Sequence, residues 1–376
     1  MLDAEYSVVT HDELKEFVQS CFAELGLRSD DAAAVAEVLS DANLRGVDSH
    51  GLDRLPVYMQ RVHAGSARGT EEMRTLAEFG GVRQLDAGYA LGPAAALKAV
   101  DAAVDLAREH TLALVSVRNS GHFGAAGFYA RRAAEAGMVL LLVSNAPKSM
   151  LAHGARDSFL GANPVAVGVP LGDLPPFVLD ISSSIVARGK IRRAHVLGEP
   201  IPAGLAVDRD GAATDDPVAA LAGSVLPLGG VKGSGLAFAI TLMTGLLAGA
   251  AFDDELGSMY DGATETQNIG HVFIAVDPWR FGDRASATRR MEALVERLHS
   301  LRPAAGFERV YYAGERGAEC ARHRLRHGIP VARQELLGAA DACAAAGLEA
   351  LADRARRLAA RSARMDELAS TPGTHD

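Results

Sequence analysis

The chain has 376 residues, of which 48% are hydrophobic and 23% charged, so it is long and apolar enough to bury a large core. Its formal charge of −9 is spread over acidic and basic residues in every region, which excludes a polybasic groove for nucleic acid and a basic membrane anchor. We therefore expect a packed globular enzyme with neither a nucleic-acid nor a membrane partner.

Hydrophobic periodicity predicts helices that start near Thr10 and Asp30, followed by the polar loop 45–54. Helices and strands then alternate, which predicts an α/β region: helix 92–110, strand 112–120, helix 124–137 and strand 138–147. Short apolar runs from 159 to 217, separated by Gly, Pro and Asp, are typical of β structure with tight turns. A strand from His271, a helix from Arg284 and an Ala/Arg-rich helical tail from Gln334 complete the order.

The longest apolar run, residues 233–252, is long enough to raise the question of a membrane span. It contains four glycines, one serine and two threonines, and Asp253 and Asp254 follow it directly. We therefore interpret this run as a buried core helix.

Cysteine and histidine usage predicts no metal site. Cys21, Cys320 and Cys343 are far apart in the chain and show no CxxC spacing, so neither a disulfide framework nor a zinc knuckle is expected. His323 and His327 are four residues apart, but arginines stand where a zinc protease needs its glutamate, so HRLRH is interpreted as a basic surface helix. This usage is typical of a protein of the reducing cytoplasm.

The loop 45–54 carries residue types that suit acid–base chemistry. A histidine such as His50 can exchange protons near neutral pH, and Arg54 can bind a carboxylate through two hydrogen bonds. A helix-terminal loop capped by Asp48 or Ser49 explains the same residues. Because adjacent side chains usually point in different directions and no G-x-S-x-G elbow is present, Ser49 is not expected to be a nucleophile.

Three further loops suit ligands, and each has a structural alternative. The glycines of NSGHFGAAG, which surround His122, allow close approach to an anion at a helix start, although a histidine in a turn is often only a structural hydrogen-bonding group. Asp180 and the serines of LDISSSIVARGK suit ribose hydroxyls or a helix cap. Lys232 in LPLGGVKGSGLAF suits a phosphate or carboxylate, or is a solvated turn residue. No G-x-G-x-x-G follows a strand, so a Rossmann site is not predicted.

Seven segments in this order resemble the type 2 malate/L-lactate dehydrogenase family, which includes ureidoglycolate dehydrogenase, sulfolactate dehydrogenase and the piperideine-2-carboxylate/pyrroline-2-carboxylate reductases. The resemblance covers roughly residues 8–335. The segments are RGVDSHGLDRLPVYMQRV, SGHFGAAGFYARRA, FLGANPVAVGVP, LDISSSIVARGKI, GEPIPAGLAVDRDGAATDDP, LPLGGVKGSGLA and NIGHVFIAVDP.

The resemblance implies an α/β (α+β) fold and a homodimer with its active site near the subunit interface. It implies a non-Rossmann NAD(P)-binding domain around a largely antiparallel sheet, residues 76–283, and a mostly helical domain from both chain ends, residues 1–75 with 284–335. Residues 336–376 remain as a helical C-terminal tail.

Matching the family's motifs to this chain implies specific roles. Ser49, His50 and His122 are the expected catalytic residues, and Arg54 is the expected ligand of the substrate carboxylate. The cofactor-binding residues implied by the resemblance are His122, Phe123, Gly124, Asp180, Ile181, Ser182, Lys232, Gly314, Glu315 and Arg316. The family's usual Met-Ala-Thr-Ser reads Ile-Ser-Ser-Ser here, and Lys190 stands where some cyclic-imine reductases carry an aspartate.

The function implied is hydride transfer between NAD or NADP and C2 of a small 2-hydroxy or 2-oxo carboxylic acid, with His50 or His122 exchanging the proton. One alternative is an NADPH-dependent reductase of a cyclic imine carboxylate. A different class would be a hydrolase that uses the Ser49–His50 loop.

Overall fold

Helices and strands alternate along most of the chain in the computed structural model, which describes residues 6–260 and 263–363. The helices are α1 His11–Glu24, α2 Ser29–Leu44, α3 Leu55–His63, α4 Gly92–His110, α5 Ala126–Glu135, α6 Arg188–Leu197, α7 Pro217–Ala222, α8 Val231–Ala248, α9 Arg284–His299, α10 Glu315–His327, α11 Arg333–Ala345 and α12 Glu349–Ala359. The strands are β1 Tyr6–Val9, β2 Arg74–Phe79, β3 Val82–Asp86, β4 Leu112–Ser120, β5 Val139–Ser144, β6 Lys148–Leu151, β7 Ser158–Gly161, β8 Pro164–Leu171, β9 Leu174–Ser182, β10 Ala206–Val207, β11 Ala213–Thr214, β12 Ser224–Val225, β13 Ile269–Val276, β14 Ile329–Ala332 and β15 Ser362–Ala363.

The largest sheet has seven strands in the order β2-β3-β4-β13-β5-β8-β9. Five of its neighbouring pairs are antiparallel, and β3 and β4 are parallel. The parallel pair is joined by α4, since parallel strands need a crossover connection that returns the chain to the same edge. The predicted mixed fold around a largely antiparallel sheet is therefore confirmed.

Two further sheets are smaller. One has the strand order β14-β1-β15, and the other has the order β11-β10-β12-β6-β7. The first brings residues from the two ends of the described chain together, because Tyr6 pairs with both Ala332 and Ala363. This pairing holds the C-terminal segment beside the first helix.

A helical core forms from both ends of the described chain. The start of α1 is fixed by a capping box in which Thr10 and Glu13 bind each other's backbone amide groups. Helices α11 and α12 bury Leu336 and Leu358 in the same apolar cluster as Phe17. The predicted division of the chain into domains stays a prediction. The part of the predicted tail up to residue 363 packs on the N-terminal helices, and residues 364–376 lie outside the described residues.

Helix α8 differs from the predicted buried core helix. Its inner face is held to the sheet region by Thr241, which accepts a hydrogen bond from Asn163 at 3.1 Å and donates one to Asp253 at 2.7 Å. Its outer face is exposed, and Leu246 is 81% accessible. The prediction is wrong for this face, because overall apolar composition does not show which side of a helix its own domain covers. By length and composition α8 could cross a membrane, but one third of it is buried against the protein.

Truncation of Leu358 should reveal whether α12 contributes to the folded core. Leu358 is 3% exposed, so Leu358→Ala should lower the free energy of unfolding by about 2–5 kcal/mol through lost apolar contact and the remaining cavity. Arg357→Ala, an exposed position on the same helix, is the matched control and should change it by less than about 0.5 kcal/mol. Urea denaturation measures both, and equal stabilities would contradict the packing of α12.

Candidate active site

The loop between α2 and α3 is built from two short 3-10 turns, Asp48–His50 and Leu52–Arg54. Asn43, at the end of α2, binds both turns: its Oδ1 accepts the Leu52 amide at 2.7 Å, and its Nδ2 donates to Asp48 at 3.0 Å. Gly51 must lack a side chain, since a Cβ there would lie 2.0 Å from Asn43 Oδ1. The loop is therefore held in one conformation.

Arg324 of α10 closes this network from the other side. Its side chain is 1% exposed and donates to the Asn43 carbonyl and, at 2.9 Å, to Asp48 Oδ1. The prediction that this segment is a basic surface helix is thus wrong for Arg324, because the helical spacing turns the Arg324 side chain into the protein. His323 and His327 stack on each other, with ring centroids 4.5 Å apart. No sequence pattern connects Arg324 with Asp48.

Ser49, His50 and Arg54 lie together on this loop. Ser49 Oγ is 3.0 Å from His50 Nδ1, so the prediction that these adjacent side chains point apart is wrong; the tight 3-10 turn brings the near nitrogen of the ring within reach of the hydroxyl. Arg54 is 5% exposed and donates from Nε to the Ser49 carbonyl at 2.7 Å. Burial and the Arg54 charge lower the pKa of His50 to about 4, so its imidazole is neutral at physiological pH.

The second histidine, His122, lies beside the first. The two rings are stacked, with centroids 5.7 Å apart and planes 24° apart. His122 Nδ1 is 2.7 Å from the hydroxyl of Tyr58 and 3.3 Å from the amide nitrogen of Gly124. Burial, Arg54 and His50 lower the pKa of His122 well below 6.5. Sequence analysis did not identify Tyr58, although this residue of α3 lies four positions after Arg54, which immediately precedes the helix. That spacing puts both side chains on one helical face.

A third histidine, which sequence analysis also did not identify, packs against the glycine loop. His271 of β13 is fully buried, with Nδ1 2.8 Å from Ser144 Oγ and Nε2 2.9 Å from Ser120 Oγ. Its ring centroid is 4.4 Å from that of Phe123. Both ring nitrogens are occupied, and burial lowers its pKa to about 3, so His271 is a structural support.

Arg54 contacts the wall of a cleft through Tyr260. Its Nη1 donates to the Tyr260 hydroxyl, and the guanidinium of Arg192 lies over the Tyr260 ring, 3.7 Å from its centroid. Arg192 and Tyr260 line a cleft of about 470 Å³ between α3 and α11, together with Asp53 and Asp341. The start of α6 reaches the same place, since a Cβ at Gly189 would lie 3.4 Å from Arg54 Nη2. Sequence patterns gave no signal for Tyr260.

Apart from His122, Phe123 and Gly124 of the glycine loop, the predicted cofactor residues fall into two groups near β9. At its end, Ser182 Oγ is 2.6 Å from Ser184 Oγ, and the Ser183 carbonyl accepts the amide of Leu228, which brings the Lys232 turn alongside. Asp180, on the same strand, accepts the Gly127 amide at 2.7 Å, so one carboxylate oxygen already caps α5. Ile181 belongs to β9 and pairs with Val165 of β8.

The other group, Gly314 to Arg316, lies against the first half of β9. The Val178 amide donates to the Ala313 carbonyl at 2.9 Å, and Gly314 has φ +95, a conformation that favours glycine. Glu315 is 7% exposed and bonded to Arg309 and, at 3.0 Å, to His299. Its carboxylate is therefore already paired inside the protein.

Comparison with known proteins decides the family. Residues 9–337 match the family described as malate/L-lactate dehydrogenase. The chain belongs to that family. This confirms the predicted family and the predicted class of enzyme, a dehydrogenase.

Curated relatives in the malate/L-lactate dehydrogenase family differ in their names. The (2R)-3-sulfolactate dehydrogenase (NADP(+)) of Chromohalobacter salexigens is 37% identical over 72% of this chain and 81% of its own length. A malate dehydrogenase of Pyrococcus abyssi is 32% identical over 89% and 94%. The ureidoglycolate dehydrogenase (NAD(+)) of Escherichia coli strain K12 is 31% identical over 82% and 87%.

Solved structures agree with this assignment. Sulfolactate dehydrogenase from Methanocaldococcus jannaschii superposes with a TM-score of 0.83 and 30% identity, over 92% of this chain and 99% of that one. The delta1-piperideine-2-carboxylate reductase of Pseudomonas syringae pvar. tomato has a TM-score of 0.80 and 29% identity, over 93% and 99%. The alternative raised from the sequence therefore also has a structural neighbour.

The donors of this malate/L-lactate dehydrogenase family member fit a nicotinamide dinucleotide. Lys232 is exposed in the first turn of α8, and the hydrogen bond from the Leu228 amide to the Ser183 carbonyl holds the preceding loop against the end of β9. A cation at the start of a helix is a group that binds phosphate. Within the described residues, no cluster of three or more His, Cys, Asp or Glu is placed to hold a metal ion.

Removal of the Arg324 charge should disrupt the loop. Arg324→Met leaves Asp48 without its buried partner, so the free energy of unfolding should fall by about 3–5 kcal/mol. Arg326→Met, on the exposed side of the same helix, should change it by less than about 0.5 kcal/mol. Chemical denaturation followed by circular dichroism measures both, and an Arg324→Met protein as stable as the wild type would refute the role given to this pair.

Proposed function

We propose that this chain transfers a hydride between the nicotinamide of NAD or NADP and C2 of a small 2-hydroxy or 2-oxo carboxylic acid, of the malate and lactate type. One observation carries the proposal: the buried guanidinium of Arg54 lies beside two neutral imidazoles, those of His50 and His122. A carboxylate bound to Arg54 would have its α carbon next to a group that can exchange a proton.

Arg54 is suited to hold the substrate carboxylate. Its Nε is used by the Ser49 carbonyl and one Nη1 hydrogen by Tyr260, which fixes the plane of the guanidinium and leaves further N–H donors for a ligand. His50 or His122 would take the hydroxyl proton during oxidation and return it during reduction. Ser49 would orient the His50 ring through its 3.0 Å contact with Nδ1.

NAD or NADP, when bound, supplies the hydride chemistry. The residues that would hold it are His122, Phe123, Gly124, Asp180, Ile181, Ser182, Lys232, Gly314, Glu315 and Arg316. Support differs among them: Lys232 offers an exposed cation, whereas the Ser182 hydroxyl already donates to the Ala162 carbonyl, and Asp180 and Glu315 shape the surrounding backbone through the bonds they make. The relatives' names include both NADP(+) and NAD(+), which agrees with either cofactor.

The two guanidinium groups on either side of Tyr260 favour a substrate with a polar or anionic far end. Tyr260 separates Arg54 from Arg192, and both guanidinium carbons lie within 6 Å of its ring centroid, at 5.9 and 3.7 Å. A carboxylate on Arg54 and a second acidic group near Arg192 would use both cations. This favours malate-like or sulfolactate-like acids over lactate.

Two alternatives have less support. A cyclic imine carboxylate needs the same Arg54 clamp, and the piperideine carboxylate reductase has the same fold, but Lys190 stands where some of those enzymes carry an aspartate. A hydrolase would need Ser49 as a nucleophile activated by His50. The membership in a dehydrogenase family opposes it, although the 3.0 Å Ser49–His50 contact exists.

The protein is further proposed to be a homodimer. The outer face of α8 exposes Val231, Phe238, Leu242 and Leu246, spaced seven or four residues apart along one side of the helix, with 65%, 48%, 41% and 81% of each residue accessible. Exposed apolar rows of this size mark protein interfaces. A second copy of the chain is the occupant that family resemblance implies. We also place the protein in the cytoplasm, which the three free cysteines support.

The proposed function is tested by adding substrates and both reduced cofactors to the wild-type protein. NADH or NADPH fluorescence should change saturably, and one of pyruvate, oxaloacetate, sulfopyruvate, an oxidised ureidoglycolate or a cyclic imine carboxylate should cause loss of absorbance at the reduced nicotinamide band. Arg54→Lys should lower kcat/KM for that substrate by about 10- to 100-fold, because a lysine cannot make the bidentate contact. Cofactor affinity should not change. A hydrolase would bind neither cofactor, and an unaffected Arg54→Lys enzyme would exclude the clamp.

The homodimer is tested by a charge on α8. Leu246→Glu places two like charges near each other if α8 faces its symmetry mate, so sedimentation should show a shift from dimer to monomer. Leu301→Glu, at an exposed apolar residue outside α8 that is 56% accessible, is the control and should remain dimeric. A monomeric wild type, or a Leu246→Glu protein as dimeric as the control, would contradict the proposal.

A further inference from the structure

The hydrogen bonds around His122 define which of its nitrogens carries the proton. A backbone amide can only donate, so the Gly124 N–H directed at His122 Nδ1 requires a lone pair on that nitrogen. The Tyr58 hydroxyl, 2.7 Å from the same nitrogen, must then donate as well. The ring proton of the neutral imidazole is therefore on Nε2.

The surroundings oppose a second proton on this ring. The titratable and charged groups that face His122 are Arg54, His50, His271 and Tyr58. Protonation at Nδ1 would break two hydrogen bonds and place a positive charge near Arg54 in a desolvated site. Relay of the Tyr58 proton to Nδ1 is opposed too, since burial raises the pKa of Tyr58.

His50 has no such restriction. Its Nδ1 partner is the Ser49 hydroxyl, which can donate or accept, so either tautomer of His50 keeps the 3.0 Å contact. With Nδ1–H donated to Ser49, Nε2 of His50 presents a free lone pair. The two stacked rings thus offer different chemistry. His122 presents a fixed Nε2–H donor, whereas His50 can present an unprotonated Nε2 as a base.

We propose that His50 exchanges the proton and that Tyr58 is a positioning residue that holds His122 as a fixed Nε2–H donor to the substrate oxygen. The inference rests on the proposed function. In oxidation, the C2–H bond breaks and its electron pair leaves as hydride to the oxidised nicotinamide. The hydroxyl proton passes to Nε2 of His50, and the C2–O bond becomes a carbonyl. The resulting imidazolium then releases its proton to solvent, which returns His50 to its neutral form.

Glutamine substitution separates the two roles, because its terminal N–H₂ can reach the region of a histidine Nε2 and donate, but it cannot accept and release a proton. His122→Gln should keep kcat within about 10-fold of the wild type, whereas His122→Ala should lose about 10- to 100-fold. His50→Gln and His50→Ala should both lose about 10²- to 10⁴-fold. If His122→Gln is as inactive as His122→Ala, or if His50→Gln stays active, the proposal is wrong.

The tautomer can be measured without turnover. In protein labelled with ¹⁵N-histidine, the His122 resonances, identified by their loss in His122→Gln, should show a protonated Nε2 and an unprotonated Nδ1 at neutral pH. Tyr58→Phe removes one donor that favours neutral His122, so the pH at which this ring protonates should rise. Tyr129→Phe is the matched control, since its buried hydroxyl donates to the Phe123 carbonyl at 2.6 Å and contacts no histidine nitrogen in the described structure.

The outcomes distinguish this inference from the proposed function. If the wild type reduces no compound of the substrate panel, the proposed function fails, while the ¹⁵N spectrum still tests the assignment of His122. A protonated Nδ1 on His122, or equal titration of Tyr58→Phe and Tyr129→Phe, would overturn the positioning role of Tyr58 even in an active enzyme.

Discussion

The loop of the candidate active site depends on one ion pair, between the buried Arg324 of α10 and the partly buried Asp48. The cost of burying the Arg324 charge is offset by hydrogen bonds, because Arg324 donates to the Asn43 carbonyl as well as to Asp48, and Asp48 also accepts from the Asn43 side-chain amide. Asn43 in turn holds the second 3-10 turn through Leu52. The helical part of the chain thereby fixes the position of the residues proposed to bind the substrate and exchange its proton.

Desolvation also controls the charge of the two histidines beside this loop. A single guanidinium, that of Arg54, lies next to two imidazoles, and burial together with this charge keeps both neutral. A substrate carboxylate would neutralise Arg54 and make protonation of a neighbouring imidazole easier. Binding of the acid and exchange of the proton would then be coupled through one cation, which is the physical advantage of having both proposed groups on one short loop.

Residue types and motif order predict much of this site, and side-chain packing explains what they miss. Arg54 and His50 are visible because a cation and an imidazole in a glycine-flanked loop suggest chemistry, and Tyr58 could have been found by its helical spacing from Arg54. Arg324 could not, because it meets Asp48 across 276 residues of sequence. The family resemblance predicted the largely antiparallel sheet, whereas the apolar composition of α8 did not predict its exposed face.

The central claim, hydride transfer to C2 of a small 2-oxo acid, is tested most directly by isotope transfer. The protein is incubated with NADH or NADPH carrying deuterium at C4 of the nicotinamide and with the 2-oxo acid that supports turnover, and the product is examined by NMR. We expect deuterium to appear at C2 of the hydroxy acid from one C4 face of the cofactor. Product formed with hydrogen at C2 from both C4-deuterated epimers, or cofactor left unoxidised by every acid tested, would contradict it.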